Sequence, residues 1–203
     1  KRHSNYYSEE NQKVDLQFLA NGKENVLDLF SFARKVLGYS LLEEYPHADW
    51  SSELEERHSR SLWLEPRYTY KSTVFTKTYP IWRLLENPNL RILLANATAE
   101  NAEAFLSEIV GHYLRNERLI ELHHAFFNFP PLDPRAAKTK SIILNSRTRN
   151  FSEPTIGALG NLVSAHYDLI IVDDLCNEDD RESPAIRCWQ CIRMMYLRIR
   201  AGV

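Results

Sequence analysis

The run Asp168-Leu-Ile-Ile-Val-Asp173, followed at once by a second carboxylate at Asp174, is the most strand-like stretch of the chain. From Leu169 to Val172 apolar side chains fall on both faces, whereas a strand with one solvated face alternates apolar and polar residues. Such a strand has to be covered on both sides. Ser61-Leu-Trp-Leu-Glu65, Arg91-Ile-Leu-Leu-Ala-Asn96 and Ser141-Ile-Ile-Leu-Asn145 read the same way. Between these runs lie helical patterns. One spans Lys71 to Glu86, with Pro80 set to end or kink its first part. A long amphipathic one opens at Thr98-Ala-Glu-Asn101 and carries Ala102, Phe105, Leu106, Ile109, Val110 and Tyr113. A short one lies near Arg118–Phe127, and another is expected from Pro184 to Arg200. Pro154–Leu162 reads as partly extended, bent at Gly157 and Gly160. Alternating strands and helices predict an α/β fold, a mainly parallel sheet flanked by helices. Ligands in such folds sit at the carboxyl ends of the strands, which directs attention to the residues just after Glu65, Asn96 and Val172.

Upstream, Val26, Leu27, Leu29, Phe30, Ala33, Val36 and Leu37 recur at helical spacing, after a turn at Asn21-Gly22 and before a stop at Gly38. The pattern predicts a helical, peripheral N-terminal extension or lid region over residues 1–58 and an α/β core over residues 59–203. A length of 203 residues with 44% hydrophobic residues suits one domain of ordinary size. Lys plus Arg is 25 and Asp plus Glu is 27, a net charge of −2. That lacks the strongly basic footprint of a dedicated nucleic-acid binder, although a local patch can still touch phosphates. The longest apolar runs are too short to span a bilayer, and no apolar segment follows Lys1-Arg2-His3, so neither a membrane nor a secreted protein is expected. Three cysteines, Cys176, Cys188 and Cys191, fit a reducing compartment. Cys188-Trp-Gln-Cys191 has no second pair to complete a tetrahedral site and reads as two buried thiols on one helical face.

The chemistry concentrates in two places. Glu65-Pro-Arg-Tyr-Thr-Tyr-Lys-Ser-Thr73 follows a predicted strand and opens a predicted helix. Lys71 and Ser72 fit the last two positions of the phosphate-binding pattern G-x-x-x-x-G-K-[ST], with Thr73 behind them. Glu65 and Tyr70 stand at the two glycine positions, so the loop is expected to keep φ negative and to approach a phosphate less closely. The helix N-terminus itself favours an anion. Downstream, Asp173 at a strand end suits a magnesium ligand and Asp174 suits the orientation of an attacking water. Glu178, four residues further on, is the reserve carboxylate. The order is that of a nucleotide site, with Lys71 before Asp173. The remaining features read as structural. His123-His124 are expected on a helix surface, Arg147-Thr-Arg149 in a solvated loop, and His166 beside the last strand. Tyr45 and Trp50 read as core aromatics, with an adenine pocket as the alternative.

With those residues in view, the chain resembles the ATPase domain of the large terminase subunit of tailed bacteriophages, the motor that packs DNA into capsids. The resemblance is carried by Leu-Glu-Pro-Arg67-Tyr-Thr-Tyr-Lys71-Ser-Thr73, Pro88-Asn-Leu-Arg-Ile-Leu-Leu-Ala95, Asn101-Ala-Glu-Ala-Phe-Leu106, Glu153-Pro-Thr-Ile-Gly157 and His166-Tyr-Asp-Leu-Ile-Ile-Val-Asp-Asp-Leu175, in family order. It implies a RecA-like P-loop NTPase (ASCE) core that hydrolyses ATP with magnesium. Pro66, Arg67, Tyr68, Thr69, Tyr70, Lys71, Ser72 and Thr73 would border the nucleotide, with Arg67 and Lys71 on its phosphates. Ser72 and Asp173 would hold the magnesium, and Asp174 would position the water. The implied partners are double-stranded DNA, a portal protein, the small terminase subunit and further copies in a homo-oligomeric ring, all in the host cytoplasm. Family members continue past this region into a coupling motif and a nuclease domain, so the resemblance implies a piece holding most of the ATPase core. Tyr68 and Tyr70 replace the commoner glycine or small residues. Two alternatives are a helicase-like P-loop motor of another family and a degenerate P-loop domain that binds DNA or partners without turnover.

Overall fold

The computed structural model describes residues 27–128, 131, 137–138, 141–143, 156–158 and 167–174. Within Arg91–Asn96 lies the strand β1 (Ile92–Ala95), buried at every residue, as a strand apolar on both faces must be. It pairs in parallel with β4 (Ile156–Ala158) on one side and β5 (Leu169–Val172) on the other. Two short strands, β2 (Ala137–Lys138) and β3 (Ser141–Ile142), extend the sheet in antiparallel fashion, giving the order β2-β3-β4-β1-β5. The described residues therefore form a mixed helix and strand fold whose central pairings are parallel. In the β1–β5 register Ile92 lies opposite Leu169 and Ala95 opposite Val172. The two strands end level, so Asn96 and Asp173 leave the sheet at the same edge.

Helix α1 begins with the turn Leu29–Ser31 and runs on as the π-helical turn Phe32–Val36. Asp28 caps it by accepting the Ser31 N–H at 2.7 Å, and the Leu29 N–H goes to Glu55 Oε1, also at 2.7 Å. Gly38 follows at φ +83°, a conformation that ends helices without a Cβ penalty. After α2 (Asp49–Glu55) comes α3, which opens with Lys71 and Ser72 and joins the π-helical turn Thr73–Thr78 to Tyr79–Glu86. The expected break at Pro80 takes the form of that wide turn, in which the Tyr79 N–H reaches back to the Val74 carbonyl. Widening the turn gives the proline ring room and absorbs its missing donor. Helix α4 (Ala99–Arg115) is capped by Thr98, whose side chain accepts the Asn101 N–H. Asn116 then ends α4 and caps α5 (Glu117–Phe127). The apolar stripe of α4 faces β1 and β4, with Leu106 and Ile109 fully buried in the main core.

Three expectations are corrected here. Ser61–Glu65 is not a strand: it is irregular, and Leu62 and Leu64 are 81% and 84% exposed. Its alternation turns Trp63 inward, onto Phe75 with ring centroids 4.7 Å apart, and leaves Glu65 partly covered. A strand needs a backbone partner, and among the described residues none lies alongside this segment. Residues 29–37 are not peripheral, because Leu29, Phe32, Val36 and Leu37 belong to the same buried cluster as β1 and α4. Trp82 Nε1 donates to the Leu27 carbonyl at 2.8 Å and Asn116 Nδ2 to the Val36 carbonyl at 2.9 Å, fastening α1 at both ends. Finally, His123 is buried, its ring against Phe127 at 4.6 Å, because it shares the inward face of α5 with Leu119 and Leu122. His124 lies outside, as expected.

Candidate functional site

The loop Pro66–Tyr70 leads into the helix that carries Lys71. Its last carbonyl, that of Tyr70, accepts the N–H groups of Thr73 and Val74 at 2.9 and 3.2 Å. The absence of glycine leads the sequence to predict negative φ throughout. The structure differs, with Tyr68 at φ +66° and Tyr70 at +57°. An L residue in this left-handed region costs about 1–2 kcal/mol, and it persists only where its surroundings impose it. Here they do. Thr69 Oγ1 donates to the Pro66 carbonyl at 2.8 Å, the Thr69 carbonyl lies 2.9 Å from His47 Nε2, and the rings of Tyr70 and His47 are 6.2 Å apart. The two tyrosines thus adopt the conformation that glycine ordinarily supplies.

At the sheet edge, the Asp173 N–H donates to the Ala95 carbonyl at 2.9 Å and the Ala97 N–H to the Asp174 carbonyl at 3.1 Å. Asn96 adds a side-chain clamp. Its Nδ2 donates to the Asp173 carbonyl at 2.8 Å, while its Oδ1 accepts from the Thr98 N–H and from Asn101 Nδ2 at 3.2 and 3.1 Å. The backbone of the acidic pair is therefore held before either carboxylate meets a partner. Asp174 turns to φ +43°. Its Oδ1 accepts from Lys71 Nζ at 3.0 Å, and Asp173 Oδ2 accepts from Thr76 Oγ1 at 2.9 Å. The first turns of α3 and the carboxyl end of β5 thus meet across a separation of 103 residues. The Lys71–Asp174 pair is partly open to water and contributes at most about 1 kcal/mol.

The structure brings together Lys71, Asp173 and Asp174, with Ser72 half-buried and Thr73 buried just behind them. Pro66, Arg67 and Tyr68 are exposed on the loop. The hydroxyl that meets Asp173 is that of Thr76, one helical turn past the expected Ser72. Trp50 is a core aromatic, packed against Phe75 and His47 at 5.6 and 5.2 Å, whereas Tyr45 is 78% exposed. Glu178, Arg147, Arg149, His166, the three cysteines and the segment Pro184–Arg200 lie outside the described residues. Three contributors escaped the sequence reading. Thr76 had a usable signal, since it falls four residues after Ser72 on the same helical face. Asn96 had a weaker one, a polar residue closing an apolar strand. His47 had none, because it acts from a segment more than twenty residues upstream of the loop.

Two carboxylates and nearby hydroxyls form an all-oxygen donor set, which suits a hard cation such as magnesium. Elsewhere among the described residues, Glu53, Glu56 and His58 bring their ligand atoms within 4.8 Å of one another, all on exposed side chains. His58 Nε2 is already paired with both carboxylates, at 3.3 and 3.1 Å, and the group reads as a solvated surface cluster. No protein-family model matches the chain, and no curated protein matches it.

Proposed function

We propose that the chain is a RecA-like P-loop (ASCE) ATPase core of the kind used by the large terminase subunit of tailed bacteriophages, hydrolysing ATP to drive double-stranded DNA into a procapsid. The observation that carries this reading is the meeting of Lys71 with the Asp173–Asp174 pair at the carboxyl ends of two parallel strands. A cation at a helix start, facing two carboxylates at a strand end, is the layout with which P-loop NTPases carry out phosphoryl transfer to water. Lys71 and Arg67 stabilise charge developing on the transferred phosphoryl group. The backbone of Pro66–Thr73 borders the phosphates. Asp173, oriented by Thr76, and Ser72 would hold magnesium, which supplies charge neutralisation on the phosphate oxygens. Asp174 orients the attacking water once the nucleotide has drawn Lys71 away. On this reading the chain works within a homo-oligomeric ring on DNA, with a portal protein and the small terminase subunit as partners, in the host cytoplasm. Among the described residues no helix is long and apolar enough to cross a membrane.

The decisive measurement is equilibrium ATP binding with and without magnesium. Lys71→Ala is expected to weaken binding at least tenfold while leaving the thermal midpoint nearly unchanged, because the ion pair it removes is partly exposed. Unchanged affinity in folded Lys71→Ala protein would end the P-loop reading. One observation favours a second reading, binding without turnover: tyrosines, not glycines, stand at the turning points of the loop. ATP affinity with no phosphate release from an assembled ring would select it.

A further inference from the structure

We propose that His47 is a positioning residue for the loop Pro66–Tyr70, holding the Thr69 carbonyl through its Nε2–H; the inference rests on the reading of that loop as a phosphate site. His47 is buried in the segment Glu44–Ala48, whose backbone is extended at Tyr45 before it turns into α2. His47 Nδ1 has two contacts with Glu43, the N–H at 2.9 Å and the carbonyl at 3.2 Å; with the closer one, a backbone N–H that can only donate, Nδ1 carries the lone pair. The proton of the neutral ring is then on Nε2, which lies 2.9 Å from the Thr69 carbonyl, a group that can only accept. The shorter contact on each ring nitrogen gives this tautomer. The ring is braced edge-on by Trp50, with centroids 5.2 Å apart and planes at 82°, and Ser51 Oγ donates to the His47 carbonyl at 2.8 Å. Trp50 in turn packs on Phe75, in the helix that carries Lys71. The loop and the lysine therefore share one support.

Thr69 sits between Tyr68 and Tyr70, the two residues at positive φ. A bond to its carbonyl pins the peptide between two unfavourable conformations, each of which relaxes toward negative φ once released. His47 thus acts on the phosphate site through the backbone of Thr69, and keeps the loop N–H groups where they stand without touching the nucleotide itself.

Two substitutions separate this role from simple structural support. In His47→Gln the amide nitrogen extends to the position of Nε2 and keeps the donor to Thr69, but gives up the acceptor for the Glu43 N–H. In His47→Asn the shorter amide stays near the position of Nδ1, keeping the Glu43 contact and losing Thr69. ATP affinity in the presence of magnesium and the thermal midpoint are measured on the full chain for both, with Lys71→Ala in parallel. His47→Asn is expected to weaken ATP binding about three- to tenfold, the range of one hydrogen bond, while His47→Gln stays close to the parent. Parent-like affinity in His47→Asn, with affinity lost in Lys71→Ala, overturns the inference and leaves the phosphate-site reading standing. Equal loss in His47→Asn and His47→Gln, tracking a lowered midpoint, assigns the histidine to structure alone and also overturns it. ATP bound by Lys71→Ala as tightly as by the parent overturns both.

Discussion

Asp173 and Asp174 are neighbours with different partners, a hydroxyl for the first and an ammonium for the second, and they should fail differently. Asp173→Asn, which removes a charge from the metal side, is expected to weaken magnesium-dependent ATP binding and hydrolysis together. Asp174→Asn is expected to lower kcat by about 10²–10⁴-fold, the usual contribution of a group that orients or deprotonates the nucleophile. Its nucleotide affinity should hold or tighten slightly, because the carboxylate no longer competes for Lys71. Turnover in the assembled ring gives the readout, and an active Asp174→Asn beside a dead Glu178→Gln would move the role to Glu178. Tyr68 offers a test of backbone strain without packing, since it is 98% exposed at φ +66°. Relieving the left-handed cost, less the extra chain entropy of glycine, Tyr68→Gly is expected to stabilise the fold by roughly 0.5–1 kcal/mol. A urea titration measures this, and a lowered midpoint would mean that the tyrosine has a contact beyond the backbone.

Helix α4 joins the segment after α1 to the helix that carries Lys71 through a polar chain. Asn116 Nδ2 lies 3.2 Å from His112 Nδ1 and can only donate, so His112 Nε2 carries the proton and donates to Tyr39 Oη at 2.9 Å. Tyr39 Oη donates onward to Glu108 Oε1 at 3.0 Å, and Glu108 Oε2 is paired with Lys77 Nζ at 2.7 Å. The segment after α1 is thereby tied to the π-helical turn of α3. Burial raises the Tyr39 phenol far above its ordinary range, with Glu108 adding to the effect. Burial also lowers His112 below its ordinary value of 6.5, against the attraction of Glu108 and with the help of Lys77 and Arg115. Linkage sets the sign. Below pH 6.5 the unfolded chain takes up a proton that the folded His112 refuses, so stability falls with acidification until the folded group titrates as well. Glu55, raised chiefly by burial, works in the opposite sense near the bottom of that range. The comparison is therefore made against His112→Gln, in which the Glu55 contribution is common. Between pH 7 and pH 5 the parent should lose stability relative to His112→Gln in denaturant midpoints, and parallel pH profiles would remove His112 from this account.

At the scale of the whole molecule, the larger of two buried clusters among the described residues joins α1, α3, β1, α4 and α5, with Phe32, Ile81, Leu94, Leu106 and Leu119 among its fully buried members. Phe32→Ala should accordingly cost about 3–5 kcal/mol of unfolding free energy. A loss below about 1 kcal/mol, the range of surface substitutions, would return α1 to the periphery. Local chemistry determined much of this arrangement without help. An apolar run of four residues made β1, buried at every position, legible, as was α4 from its Thr98 cap and apolar stripe. β5 was legible as a strand but is not covered on both faces as expected, since Leu169–Ile171 are only partly buried and Val172 is 39% exposed on a strand paired along one side among the described residues. Lys71, Asp173 and Asp174 were legible for the same reason, since a lysine at a helix start and a carboxylate pair at a strand end are local patterns. The sequence was silent wherever the outcome depended on a distant partner. Ser61–Glu65 has the composition of a strand, but hydrogen-bonding neighbours decide strands, and among the described residues it has none. Left-handed φ at Tyr68 and Tyr70 runs against residue preference and is imposed through a carbonyl bonded to His47, from 22 positions away. Thr76 meets Asp173 across 97 residues. Periodicity and capping act within a few residues and can be read along the chain, whereas strand pairing, backbone strain and the partner of each side chain are set by contacts that exist only once the chain has folded.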